Sequence, residues 1–460
     1  MASNFDDRTV PVVGHLAILA GGKGTRLAAI SEDLPKVLVP VGGKPVLAHQ
    51  LELAATSGIR EVTVFAGHRA EQIDAFLGDG TRFGLSVRIC VEQEPLGSAG
   101  ALLASLDLLP EHFLLVSGDV MLAVDLQQMA RRHFERGADL TALAHPNDHP
   151  HDSDLIETDA DDWVTAVRAY PHPPDAFFGN LVNASLHAVR RDALRPFVAT
   201  ARKQDFAKDV MPALIAHGGR VLAYRSGEYI KDMGTPERLR AVEAHWRAGR
   251  IRLAPPADGL PAVFLDRDGT LNVDKGVRSA RDMELYPGVG AALRALREAG
   301  YRLVVLTNQP VIARGEASEA EVARIHRRLE WELGKEGAFL DGIYVCPHHP
   351  ERGHAGERAE LKLECACRKP ATGLCERACS ELKLDKTRSW MVGDQTRDIE
   401  MARRAGLRCV LVRTGVGGGD GKFAAVPDFV AADLPAAAEI ILRHRIPPHG
   451  TLCRAQTPAL

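Results

Sequence analysis

Val263-Phe264-Leu265-Asp266-Arg267-Asp268-Gly269-Thr270 decides how the second half of this 460-residue chain is read. An apolar run of strand length stops at two carboxylates set two residues apart, and Gly269 and Thr270 turn the chain away. In an open α/β sheet the carboxyl ends of the strands border the crevice where ligands bind. Asp266 and Asp268 at such an edge put a nucleophile, a proton donor and a metal ligand into one small space. A lone Asp-x-Asp turn can equally bind nothing. Three later stretches argue for chemistry: Thr307-Asn308-Gln309 after the run Arg302–Leu306, Arg368-Lys369-Pro370, and Gly393-Asp394 with Asp398 after Trp390–Val392.

In this order the stretches resemble the haloacid-dehalogenase-type phosphatases, over about residues 261–445. The resemblance implies that Asp266 attacks phosphorus and that Asp268 protonates the leaving oxygen, then deprotonates water. It also implies that Thr307 and Lys369 bind the phosphoryl group. Asp266, Asp394 and the backbone carbonyl of Asp268 would hold Mg²⁺, with Asp398 orienting this shell.

Within this half lie Cys346-Pro347-His348 and Cys365-Ala366-Cys367, with sixteen residues between the pairs. Thiolate and imidazole ligands in this number suit a closed tetrahedral zinc site, which leaves no position for water and is therefore structural. The intervening stretch is rich in charge and glycine and poor in apolar residues, so a metal would fold it. His349 is the alternative nitrogen ligand; spacing favours His348. Cys90, Cys375, Cys379, Cys409 and Cys453 lack such pairing and read as packing or surface residues. The zinc-looped pattern is similar to heptose bisphosphate 7-phosphatases and to histidinol-phosphate phosphatases. Thr307-Asn308-Gln309-Pro310-Val311-Ile312-Ala313-Arg314-Gly315 and the residues around Arg368 look closer to the heptose branch. That resemblance places Asn308, Arg314 and Arg368 on the substrate, Arg368 at its second phosphate. Gln395 departs from the lysine common after the metal-binding aspartate.

The first half opens with a strand-like run, Leu16–Ala20, and then Gly21-Gly22-Lys23-Gly24-Thr25-Arg26 ahead of Pro35-Lys36. Glycines let successive N–H groups face a phosphate, while Arg26 supplies a planar fork and Lys36 a movable point charge. With Glu94-Pro95-Leu96-Gly97-Ser98, Ser117-Gly118-Asp119 and Lys231-Asp232-Met233-Gly234, the loop resembles the sugar-nucleotidyltransferase family over about residues 15–245. The resemblance implies that Gly21, Gly22, Gly24, Thr25 and Gly97 contact the nucleotide and that Arg26 and Lys36 are catalytic. It further implies Mg²⁺ on Asp119 and Asp232, and Asn183 and Lys208 on the sugar side. Two departures stand out. Val167-Arg168-Ala169-Tyr170 replaces the usual Glu-Lys pair, and Ser185 stands where glycine is usual.

Strands alternating with helical stretches predict two doubly wound, Rossmann-like α/β domains. The resemblances imply a nucleotidyltransferase fold for the first and, for the second, a haloacid-dehalogenase-like phosphatase fold carrying a zinc loop. The expected boundaries are a tail 1–14, a domain 15–245, a Pro/Gly-rich linker 246–260, a domain 261–445 and a tail 446–460. A net charge of −3 without a basic stripe argues against nucleic acid, and no run has the apolar length of a membrane span. The opening residues lack the apolar core of a signal peptide, so the expectation is a cytoplasmic enzyme with small-molecule substrates and an open oligomeric state. Together the resemblances imply consecutive steps toward a nucleoside diphosphate-heptose. A histidinol-phosphate phosphatase, or a first domain that only senses sugar nucleotides, is the alternative.

Overall fold

The computed structural model describes residues 12–22, 34–92, 94, 96–159, 161–173, 176–198, 203–251 and 259–445. Lys23, Gly24, Thr25, Arg26 and Pro95, the prolines of the linker, and the residues after 445 lie outside them. The chain divides into two compact units after residue 255. No helix among the described residues is long and apolar enough to cross a membrane.

In the first unit the strand His15–Ala20 runs parallel between Glu61–Ala66 and His112–Ser117, and Ser86–Val91 extends the sheet beyond Glu61–Ala66. Val182–Arg190 joins His112–Ser117 antiparallel and carries Leu140–His145 and Leu155–Thr158. The sheet counts nine strands among the described residues and is mixed. The helix Val46–Thr56 buries Val46, Leu47, Leu51 and Leu53. The antiparallel strands were not legible, because short half-buried runs such as Val164–Arg168 carry weak period-2 patterns.

Ser185 has a physical explanation. Its φ is +57°, in the left-handed region, where the register between Val182–Arg190 and Leu140–His145 shifts. A bulge of this kind favours glycine, and serine holds the conformation at a cost of about 1 kcal/mol.

The second unit is built on six parallel strands in the order Gly342–Cys346, Arg302–Asn308, Ala262–Leu265, Trp390–Gly393, Arg408–Val412, Phe429–Ala431. Val263, Phe264, Leu265, Val304 and Val392 are fully buried, as strands covered on both faces require. The helices Val289–Glu298 and Glu319–Lys335 bury Leu293, Leu296, Ile325, Leu329 and Leu333, which share one core with Leu265 and Val305. This arrangement aligns the carboxyl ends of Ala262–Leu265, Arg302–Asn308 and Trp390–Gly393 at one edge, where the motif residues begin.

Candidate active sites and metal centre

At that edge Asp266 follows its strand directly, and its N–H donates to Val392 O at 2.9 Å. Lys369 Nζ lies 2.8 Å from Asp266 Oδ1 and 2.7 Å from Asp398 Oδ1, with all three residues buried. The lysine is held from behind. Asn308 Nδ2 donates to Lys369 O at 3.1 Å, and Lys369 N–H donates to Asn308 Oδ1 at 3.0 Å. Asp394 is pressed by two glycines: a Cβ on Gly269 would come within 2.4 Å of its Oδ2, and one on Gly415 within 2.3 Å. Both glycines have positive φ. Val416 N–H donates to that Oδ2 at 2.7 Å, whereas Asp394 Oδ1 is buried without a hydrogen-bond partner among the described residues.

Oxygens of Asp266, Asp394 and Asp398 fall within 4.8 Å of one another. Three carboxylates, when all are ionised, would leave two negative charges beyond the single ammonium of Lys369 in a buried site. Burial and the neighbouring Asp266 push the Asp394 carboxyl up to about 8. Burial also raises Asp266, against the opposing pull of Lys369. For Lys369 burial acts downward, but Asp266 and Asp398 outweigh it and hold the ammonium charged. An orphaned carboxylate oxygen and a double charge deficit are what a hard divalent cation satisfies.

Asp268 is arranged differently. Burial would raise its pKa, but Arg267, Asn272 and Gln309 hold it below the usual range. Arg267 gives Nη2 to both carboxylate oxygens at 2.9 and 2.7 Å and Nε to Oδ1 at 3.1 Å, while Asn272 Nδ2 and Gln309 Nε2 add 3.0 and 2.9 Å contacts. Arg267 is 1% exposed and also donates to His326 Nε2 at 2.9 Å. Sequence reading missed this inward arginine, because arginine beside a strand end ordinarily reads as surface. Thr307 Oγ1 accepts from Gln309 Nε2 at 2.8 Å.

The four zinc-type residues converge. Sγ atoms of Cys346 and Cys365 are 3.6 Å apart and those of Cys365 and Cys367 3.2 Å, while His348 Nδ1 lies 3.7 Å from Cys346 Sγ and 3.3 Å from Cys367 Sγ. Ligand–ligand edges near a tetrahedral zinc with bonds of about 2.3 Å to sulfur run to about 3.8 Å, so the set fits. His349 turns away, its Nε2 accepting from Arg314 at 3.1 Å. Arg368 Nη1 donates to His348 O at 3.1 Å.

In the first unit, Gly118 N–H donates to Leu19 O at 2.8 Å, so neighbouring strands part at Gly21 and Asp119. A Cβ on Gly21 would come within 2.6 Å of Glu92 Oε1. Asp119 Oδ1 accepts from Ser117 Oγ at 2.6 Å, and its Oδ2 pairs with Lys36 Nζ. The antiparallel strands Val120–Ala123 and Tyr229–Asp232 set Val120 opposite Asp232, and Met233 N–H donates to Asp119 O at 2.9 Å. Asp119 and Asp232 are thus brought side by side from distant sequence. Asp232 Oδ1 accepts from Arg238 Nη1 at 2.8 Å. Burial raises its carboxyl, but Arg238 and the Gly234 N–H hold it below the usual range. Each of the two carboxylates is thus covered by a cation of its own.

Gly97 has a φ of +81°, and a Cβ there would lie 2.3 Å from Gln204 O. Ser98 Oγ donates to Asp205 Oδ2 at 2.9 Å, and Asp205 Oδ1 accepts from Lys208 N–H at 2.9 Å, which ties the Gly97 loop to the Lys208 segment. Lys208 Nζ lies 3.6 Å from Asp154. Asn183 is buried, its Oδ1 accepting from His187 Nε2 at 3.0 Å and its Nδ2 3.8 Å from Met211 Sδ. Arg168 makes a cross-strand pair with Glu157, Nε to Oε2 at 2.8 Å. Arg238 and Asp205 were missed from sequence; the former stands in the first turn of a helix whose cap, Thr235, could have flagged it.

The nucleotidyl transferase family matches residues 16–248, and the HAD-like hydrolase family matches residues 366–437. A D-glycero-beta-D-manno-heptose-1,7-bisphosphate 7-phosphatase of Haemophilus ducreyi is 46% identical over 160 residues, 34% of this chain and 85% of that protein. The chain belongs to both families: nucleotidyl transferase and heptose-bisphosphate 7-phosphatase. The corresponding phosphatase of Escherichia coli K12 is 44% identical over 161 residues, 35% of this chain and 82% of that protein. Among solved structures, HddC from Yersinia pseudotuberculosis is similar at TM-score 0.45 and 23% identity, covering 51% of this chain and all (100%) of that one. D,D-heptose 1.7-bisphosphate phosphatase from B. bronchiseptica, complexed with magnesium and phosphate, is similar at TM-score 0.35 and 32% identity, covering 40% and 99%. This is a phosphatase joined to a nucleotidyltransferase.

The raised Asp394 carboxyl gives a signed pH dependence. A folded pKa near 8, above the unfolded carboxylate value, contributes stability that is present below about pH 4 and lost as pH rises toward 8. A divalent cation needs the ionised form, so it should restore most where that loss is complete. The melting-temperature gain on adding Mg²⁺ is expected to be larger at pH 8 than at pH 6, and Asp394→Asn should abolish the difference. Equal gains at both pH values in the unaltered protein would contradict the charge account.

Proposed function

We propose that the chain is a bifunctional enzyme of nucleoside diphosphate-heptose synthesis. Its second unit removes the 7-phosphate of D-glycero-D-manno-heptose 1,7-bisphosphate. Its first unit then transfers a nucleotidyl group from a nucleoside triphosphate to the heptose 1-phosphate that remains. One observation carries this reading: a phosphatase and a sugar-nucleotidyltransferase site share a chain, and the product of the first is the acceptor of the second.

Asp266 attacks the 7-phosphorus and its oxygen becomes esterified, splitting one hard step into two. Asp268 gives the proton to the leaving sugar oxygen from its protonated form, the minority form beside Arg267, and takes one back from water as the carboxylate that Arg267 favours. Thr307 and Lys369 hold the phosphoryl group. Lys369 also pairs with Asp266, which favours the ionised nucleophile. Mg²⁺ held by Asp266, Asp394 and the carbonyl of Asp268 would supply charge neutralisation of the phosphoryl oxygens. Asn308, Arg314 and Arg368 face the rest of the substrate. In the first unit Arg26 and Lys36 neutralise the anionic reactants, and Gly21, Gly22, Gly24, Thr25 and Gly97 line the nucleotide. Asn183 and Lys208 take the sugar side. Mg²⁺ on Asp119 and Asp232 would offset charge between the two phosphates. Cys346, His348, Cys365 and Cys367 would hold a zinc ion whose part is to fold their loop, outside the catalytic steps. The reaction belongs in the cytoplasm, where sugar phosphates and nucleoside triphosphates are found together.

Asp266→Asn is expected to abolish phosphate release from the bisphosphate while pyrophosphate formation from heptose 1-phosphate proceeds. Loss of both activities would contradict two independent sites, and faster hydrolysis of histidinol phosphate by the unaltered enzyme would reassign the substrate. Metal analysis should find one zinc per chain. Cys367→Ser should lose it together with phosphatase activity, whereas full activity without zinc would sink its structural role.

A further inference from the structure

Arg397 is a charged residue near the phosphatase edge with no part in the phosphoryl site or the zinc loop. Arg368 and Arg397 are the chain neighbours of Lys369 and Asp398, which pair at 2.7 Å, so that ion pair fixes the two arginines on adjoining segments. Arg314 approaches from a third direction. It donates to His349 while Arg368 donates to the carbonyl of His348, the residue before it. Nε of Arg314 and Nε of Arg397 are both buried without a hydrogen-bond partner among the described residues. Arg368 is part-buried, and the positive charges of Arg397 and Arg314 both act on it, beside Cys346 and Cys365 of the zinc set. Guanidinium groups this close repel one another, and the donors left open on Arg314 and Arg397 suit an anion. Asp420 acts on Arg397 through its charge, but its own oxygens are engaged by Thr396, Oδ1 by the N–H at 2.9 Å and Oδ2 by Oγ at 2.6 Å.

We propose that Arg397 is a specificity-determining residue of the phosphatase, the third arm with Arg368 and Arg314 of a site for the phosphate that is not cleaved. The inference rests on the bisphosphate reading of the second unit. It accounts for Gln395, the uncharged residue where a lysine is usual: the positive charge has moved two residues along, onto the first turn of the helix Thr396–Ala405. An arginine fork in that turn, close to the helix N-terminus, grips phosphate with two donors where a lysine would offer a point charge.

The test compares heptose 1,7-bisphosphate with heptose 7-phosphate as substrates of the full-length enzyme, unaltered and with Arg397→Gln. Losing a charge-assisted contact should raise KM for the bisphosphate about 10- to 100-fold, with a much smaller effect on the monophosphate. Gln395→Lys placed in the Arg397→Gln background should recover part of the bisphosphate preference. Bound zinc, measured on each variant, shows that the loop is still folded. A preference for the bisphosphate that survives Arg397→Gln, or an equal loss for both substrates, would overturn this inference alone. An unaltered enzyme that treats both substrates alike would instead overturn the bisphosphate reading on which it rests.

Discussion

The buried ammonium of Lys369 is the interaction on which the phosphatase edge depends. It joins the end of one strand, through Asp266, to the first turn of the helix Thr396–Ala405, through Asp398, and its own backbone is clasped by Asn308 at the end of another. Three segments that are far apart in sequence thus meet on one charge. Removing that charge would leave buried carboxylates with no cation at all, a cost of several kcal/mol. The pair is also incomplete by design of its own composition, since one ammonium cannot balance Asp266, Asp394 and Asp398. The residual negative charge makes the edge a receptor for a divalent cation, and the cation in turn makes it a receptor for phosphate.

The transferase unit applies the same electrostatic logic with different geometry. Lys36 covers Asp119 and Arg238 covers Asp232, each carboxylate carrying its own cation. The aspartates are set side by side by a two-stranded antiparallel ladder, and the glycines at 21 and 118 allow the backbones to approach. Because neither aspartate is left orphaned, this site is less starved of positive charge than the phosphatase edge. The two units therefore share chemistry, with anionic substrates met by carboxylates, cations and main-chain donors, on differently wound sheets.

Much of this was legible in the chain. The strand ends at Asp266, Thr307 and Asp394 were readable because parallel strands buried on both faces are continuous apolar runs that stop where the motif starts. That Cys346, His348, Cys365 and Cys367 come together was readable from their spacing, as was His348 lying beside the cysteines while His349 turns to Arg314. What was not legible depends on long-range pairing or on side-chain direction. Arg267 points inward to Asp268 and His326, and Arg238 reaches back to Asp232. Neither direction follows from spacing. Ser185 could be flagged as a departure from sequence, but its left-handed backbone came only with the bulge. The contacts of Asn183 with His187 and Met211 likewise came only with the packed strands.

The proposed bifunctional reaction has an order on each molecule of substrate: the 7-phosphate is lost before a nucleotide is gained. The most direct measurement incubates the full-length enzyme with each anomer of heptose 1,7-bisphosphate, Mg²⁺ and the common nucleoside triphosphates, following phosphate and pyrophosphate with time and weighing the sugar nucleotide by mass spectrometry. The account predicts that phosphate appears before pyrophosphate and that the product is a nucleoside diphosphate-heptose with no further phosphate. A sugar nucleotide that still carries the 7-phosphate, or pyrophosphate released first, would contradict it.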